Sequence, residues 1–440
     1  MKLCSFTLTA AALVTALACL NLFATEYVWT NTASSPQEWN TPGFWVPAGT
    51  PQLGDAVVLT DFYDSVTSSR RINQSGYSVT TTAIRVLAPT NIYEITVDNW
   101  WGGNAMLLKA PSGNAEITIK AFGNTDPGGY WGNLRITTGN GKMVFESDTD
   151  VTVTGNTTTV YLVTPLPLAG NATLNKHGNG RWVIENGASS YSGTINLYNG
   201  QISLGNNAGI LTNATAIVVH PGGKLSMGTQ HIALQQYDAP VVLNGGLMQN
   251  DAGERHIRNV TLTASSSVDP AWWRLTFNGT IQGTGTLSVV ANGTVSIFGA
   301  NIKPGFSIGV LNFHRTGSDF YFTSNAAPTT LHIEVSGAGG VPGVDHDQVN
   351  VTGLQAERPV DLANLNVSFP GTGGAAATNW FFTANQIVNG STLGSVSFAS
   401  GMSGTVVYDY ASGKVGAVVI PEPALALACA ALLALLRPRA

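Results

Sequence analysis

The chain has 440 residues, 10% of them charged, and a formal net charge of -5. So weak an acidity gives no basis for nucleic-acid binding, which requires a basic patch to neutralise phosphates. Its 50 glycines, with abundant Asn, Thr and Ser, disfavour long helices and suit short strands joined by tight turns.

Residues 1–24 read as a signal peptide. Lys2 is a short positive region, 10–20 is an apolar run too short to cross a bilayer comfortably, and Ala24 precedes the expected cut. A buried first helix is the alternative. Cys19, after Ala16-Leu17-Ala18, matches a lipoprotein box only in part, because Ala16 stands where a larger aliphatic is usual. The other cysteines are Cys4 and Cys429, so loss of both ends leaves a body without cysteine. Such a body excludes a disulfide framework, thiol catalysis and Cys-based zinc sites.

Between Tyr27 and Val418 almost no window is long, free of Gly and Pro, and 3.6-periodic. Short alternating runs recur instead. Residues 115–122 place Ile117 and Ile119 on one face, and 150–154 read DVTVT. Residues 285–298 read as two strands around Asn292-Gly293. Residues 331–335 group Leu331, Ile333 and Val335, and Val349, Val351, Leu365, Val367 and Phe369 continue the pattern. Turns come roughly every 8–12 residues, which a sandwich, a barrel and a solenoid all satisfy. The body is too long for one sandwich, leaving a solenoid or several domains. In a solenoid, Asn, Ser and Thr at turns stack in hydrogen-bonded rows.

Three kinds of side chain carry possible chemistry. The pairs Trp100-Trp101, Tyr130-Trp131 and Trp272-Trp273 place neighbours on opposite faces of a strand, so one ring of each pair is a candidate for stacking on a sugar. Trp101 and Trp273 are the test positions, and a core ring beside a loop-covered ring is the other reading. The stretch 251–259 gathers Asp251, Glu254, Arg255, His256 and Arg258. It reads as a solvated loop and strand edge; the alternative resembles pectate-lyase-like β-helices, where an Arg or Lys base works beside Asp-bound calcium. Asp345-His346-Asp347 follows a Val-Pro-Gly turn and reads as turn capping, with cation binding or acid–base chemistry as the alternative. No Gly-x-Ser-x-Gly elbow, phosphate loop, His-Glu-x-x-His site or Gly-Gly-x-Gly-x-Asp repeat occurs. No cofactor and no metal site are expected.

Residues 172–204, ATLNKHGNGRWVIENGASSYSGTINLYNGQISL, are more specific. Leu174, Lys176, Gly178, Gly180, Trp182, Ile184, Tyr191, Gly193, Ile195, Asn199, Gly200 and Leu204 resemble the autotransporter-associated β-strand repeat. Gly178 and Gly180 supply turn conformations closed to other residues, Trp182, Ile184 and Ile195 face the core, and Asn199-Gly200 turns into the next rung. Only one clear copy is present. Residues 41–59 are similar to the opening of such surface proteins, 303–313 to their closing turn, and 341–353 to the segment that follows. The resemblance implies an all-β fold, a right-handed parallel β-helix (β-solenoid) with a β-rich C-terminal cap. No outer-membrane barrel follows, so self-translocation through one is not expected.

The tail, VVIPEPALALACAALLALLRPRA, joins Pro421-Glu422-Pro423 to thirteen apolar residues at 424–436, about 20 Å of helix, then Arg437 and Arg439. That length makes a marginal transmembrane helix. The tail resembles the PEP-CTERM sorting signal, although Pro438 interrupts its basic cluster. An ordinary C-terminal helix is the alternative. The resemblance implies an exosortase-type partner, only transient membrane contact through the C-terminal helix, and delivery to the outer surface or extracellular matrix of a Gram-negative bacterium.

The expected organisation is a signal helix at 1–24, a β-rich segment at 25–165, a β-helix with the repeat at 166–330, a β cap at 331–418 and the sorting signal with its short apolar helix at 419–440. The expected function is that of an exported non-enzymatic cell-surface or matrix protein associated with exopolysaccharide. A β-helical polysaccharide lyase or hydrolase and a non-catalytic carbohydrate-binding protein are the alternatives.

Overall fold

The computed structural model describes residues 25–30, 37–60, 70–75, 77–87, 93–98, 104–121, 134–138, 141–155, 160–185, 189–205, 210–228, 235–290, 293–297, 299–305, 309–316, 319–322, 328–336, 341–355, 358–371 and 375–421. The signal peptide, Trp100-Trp101, Tyr130-Trp131 and the tail from Glu422 lie outside them. The described residues are all-β: they contain no α-helix, and their two helical turns are the short 3-10 segments Pro42–Phe44 and Leu362–Asn364. Among them no helix is long and apolar enough to cross a membrane.

The chain divides into two compact units, Met1–Val183 with Ser190–Gly193, and Ile184–Ser189 with Thr194–Ala440. The division falls inside the repeat stretch 172–204. In the first unit three strand faces recur in chain order. The first face stacks Glu26–Trp29, Ala56–Thr60, Ala83–Leu87, Ala115–Ala121, Thr149–Gly155 and Leu174–His177, each parallel to the next. The second stacks Gln37–Glu38, Arg70–Ser75, Tyr93–Asp98, Leu134–Thr138 and Tyr161–Thr164. The third stacks Val79–Thr81, Ala105–Leu108, Lys142–Phe145 and Leu168–Gly170. Long parallel ladders between strands separated by a full circuit of the chain are consistent with a β-solenoid.

The second unit repeats the plan. Its first face runs from Thr194–Leu197 through Ala216–Val219 and Val241–Asn244 to Leu365–Phe369 and Ser395–Phe398. Alternation puts every second side chain inward. Register then aligns Ile195, Ile217, Val241, Val260, Ile281, Ile302, Leu331 and Val367 in one column. All eight are buried. Burying each such side chain contributes roughly 1.5–3 kcal/mol, so the column is a substantial store of stability on this face. Glu254–Ala264 and Arg274–Gly283 each run along two faces, and their register shifts between Ile257 and Asn259.

Gly285–Val289 and Thr294–Ile297 flank Asn292-Gly293 as expected. Each pairs in parallel with the corresponding strand of its neighbouring circuit, Val310–Arg315 and Asp319–Phe322. Isolated antiparallel bridges link Gly283 to Gly305 and Val335 to His346. Among the described residues, the antiparallel strand pairs of the second unit lie near its C-terminus, where Lys414–Pro421 joins Ala375–Ala384 to Met402–Asp409. Phe369 stacks on Phe398 there, with ring centroids 5.1 Å apart. At the start of the first unit, Trp45 packs edge-on against Trp29 and Trp39 and donates its indole N–H to the Trp39 carbonyl at 2.7 Å. A ladder that begins or stops needs such a cover, since its last rung has no neighbour to bury it.

Candidate functional site

The repeat residues build a turn around a buried amine. Leu174–His177 enters it and Arg181–Ile184 leaves it. Lys176 pairs in register with Val151, so it occupies the inward column that Val57, Ile84, Ile117 and Val151 fill in preceding circuits. Its ammonium bends into the turn and donates to the carbonyls of His177 at 2.6 Å and Gly178 at 3.1 Å. Burial pulls its pKa down to about 7, against those two acceptors.

Gly178 has φ +76°, the left-handed region that favours glycine. Gly180 needs glycine for another reason: its φ is not in that region, but a Cβ would sit 2.5 Å from the Val153 side chain and 2.8 Å from the Val160 carbonyl. The expectation that both supply a special backbone angle therefore holds for Gly178 alone. Trp182 is buried and donates its indole N–H to Thr164 Oγ1 at 3.0 Å, and that hydroxyl donates on to the Val183 carbonyl. Tyr191, also buried, donates to the Ala172 carbonyl at 2.6 Å; burial raises its pKa strongly. Gly193 lies so close to that carbonyl that a Cβ would come within 2.1 Å of it. In the second unit, Gly200 takes φ +72° and Asn199 reaches the Gly222 corner of the following circuit. Every repeat residue thus serves the turn, the core or close chain packing.

The 251–259 cluster is dispersed. Arg255 is not solvated: it is fully buried, in the inward column with Leu275, Val295 and Phe320. Burial lowers its pKa. Glu254 and His256 lie 3.4 Å apart, Arg274 is 3.6 Å from Glu254, and Arg258 is 3.8 Å from Asp238. Asp251 accepts from Ser226 and Gln201.

Asp345 caps its turn, accepting the Val341 amide at 2.9 Å, as expected. Asp347 does something else. It is buried and accepts from the Gly309 and Glu334 amides at 2.7 and 2.8 Å, tying two chain segments together. Burial pushes its carboxyl up to about 7, opposed by those amides. His346 is fully buried, with Nε2 3.3 Å from the Trp380 carbonyl, and burial lowers its pKa. Among the described residues no three His, Cys, Asp or Glu side chains are placed to hold a metal ion.

Outward positions carry charged contacts, such as Arg85 with Glu116 at 2.9 Å, and also uncharged ladders. Asn312, Asn350 and Thr383 form one, with Asn350 donating to Asn312 at 2.7 Å. His220 lies between Asn196 and Asn244, at 3.4 and 3.2 Å. Of the described aromatic pair, Trp273 is half-buried and Trp272 is 78% exposed. The exposed ring is therefore Trp272, not Trp273. Pro421 ends its strand, whereas Glu422, Pro423, Arg437 and Arg439 lie outside the described residues. Comparison of the chain with protein-family models, curated proteins and solved structures finds no match.

Proposed function

We propose that the chain is an exported, non-enzymatic cell-surface or matrix protein associated with exopolysaccharide. In this reading it is a right-handed β-helix with a β-rich cap. The signal at 1–24 carries it out, and an exosortase-type enzyme sorts it through Pro421-Glu422-Pro423, the apolar 424–436, Arg437 and Arg439. One observation supports the absence of catalysis most strongly: Arg255 and Asp347, the side chains a lyase would need in an open groove, are buried, in a core column and on two backbone amides respectively. The outward ladders of Asn, Thr and His offer neutral hydrogen-bonding surface instead.

The test is fractionation of producing cells, with mass spectrometry of both ends of the mature protein. The reading expects the protein in the envelope or matrix, beginning near residue 25 and altered at the tail. An intact product in the cytosol would overturn it. Turnover of a polysaccharide panel by purified protein, abolished by Asp345→Ala, would replace it with the enzymatic reading.

A second reading, a carbohydrate-binding surface protein without catalysis, is favoured by the exposure of Trp272.

A further inference from the structure

Trp272 stands at the corner between Ser266–Asp269 and Arg274–Gly283. A large apolar ring 78% exposed loses the burial that stabilises other aromatics here. The corner that displays it is built, not loose. Asp269 accepts the Ala271 amide at 2.7 Å, the Trp273 amide donates to the Pro270 carbonyl at 2.9 Å, and the Thr294 amide donates to the Trp273 carbonyl at 2.8 Å. Ala271 is held at φ +51°, in the left-handed region that a Cβ makes costly. Strain of this kind persists where surrounding structure enforces it, and it clusters at sites that bind.

The neighbouring circuit packs closely beside this corner: a Cβ on Gly293 would sit 2.7 Å from the Ala271 carbonyl and 2.8 Å from the Trp273 carbonyl. Glu254 and Thr294 are the register partners of Arg274, and the residue before each is glycine, Gly253 and Gly293. Glu254, Arg274 and Thr294 therefore form a row across three circuits beside this corner, about 4.8 Å apart. Arg274 is exposed and the other two are half-exposed.

We infer that Trp272, with the row Glu254, Arg274 and Thr294, is the contact site for a saccharide unit of an extracellular polysaccharide. A pyranose has an apolar C–H face that stacks on an indole and hydroxyls that meet a carboxylate, a guanidinium and a hydroxyl. A lipid surface would need a broad apolar face, and a protein partner a larger apolar core. Among the described residues of 235–297 no other large hydrophobic side chain is exposed. This site rests on the matrix-association reading and specifies where contact is made.

Native affinity electrophoresis in gels containing dextran, laminarin or alginate tests the inference on the full chain. Wild type is retarded in at least one gel, Trp272→Ala weakens the apparent affinity about tenfold or more, and Trp272→Tyr retains most of it. Circular dichroism of Trp272→Ala matches wild type, since the ring is exposed. Equal retardation of wild type and Trp272→Ala overturns the site while leaving matrix association intact. No retardation of wild type in any gel also overturns the site, while cell fractionation decides the broader reading separately. Trp272-dependent binding to anionic vesicles with no retardation by polysaccharide overturns it in favour of a membrane contact.

Discussion

Lys176 and Asp347 are buried titratable groups with opposite pH signatures. Lys176 titrates near 7 when folded and near its ordinary 10.5 when unfolded. Between those values the unfolded chain holds the extra proton, so this group's contribution is full above 10.5 and is lost as pH falls toward 7. Lys176→Met should remove a slope approaching 1.4 kcal/mol per pH unit from urea-unfolding free energies in that window. An unchanged slope would place the amine in solvent. Asp347 works the other way: its pKa rises from 3.8 to about 7, so its contribution is full below 3.8 and is lost as pH climbs through 7. Asp347→Asn should flatten stability between those limits. Glycines divide similarly by local need. Gly178→Ala should cost more than about 1 kcal/mol, because φ is +76° and its Cβ would sit 2.3 Å from the Val153 carbonyl. Gly43→Ala, with nothing within 4 Å, should change stability by under about 0.5 kcal/mol.

Strands, by contrast, were legible. Ile117 and Ile119, or Leu331, Ile333 and Val335, announce their inward face by period two, and all five are buried. Three features escaped, each for a physical reason. Which strands pair around Asn292-Gly293 is not encoded locally, because the turn signal is the same whether the next strand pairs with its predecessor or with another circuit. Burial of Lys176 and Arg255 depends on where the turn carbonyls and neighbouring circuits lie, which alternation does not encode. Trp272 and Trp273 cannot be ranked by parity, because the left-handed Ala271 interrupts the strand just before them. The ladders also predict where the chain tolerates insertion. One residue added within Val241–Asn244 turns Val241 or Leu243 out of its column and should cost several kcal/mol. One residue added at Pro221-Gly222, an exposed corner, should cost far less in thermal unfolding.

Across the second unit circuit length varies while the inward column is kept, despite register shifts between Leu243 and Asn244 and between Ile257 and Asn259. Val241 and Val260 are register partners 19 residues apart, whereas Leu331 and Val367 are partners 36 apart. Corners absorb the difference, which explains why only one copy of the repeat is visible in the sequence although the coil plan recurs. The same division sorts the side chains: inward positions hold the core, including Lys176 and Arg255, and outward positions with their corners carry the polar ladders and Trp272. The most direct test is one distance within the second unit. Asn196, Val218, Val242, Thr261, Gln282 and Lys303 are successive register partners, five steps in all. Spin labels on Asn196→Cys and Lys303→Cys, with Cys4, Cys19 and Cys429 replaced by Ser, should give a narrow pulsed-EPR distance near 24 Å, from ~4.8 Å per step. A broad distribution, or a peak beyond about 40 Å, would contradict stacked parallel circuits.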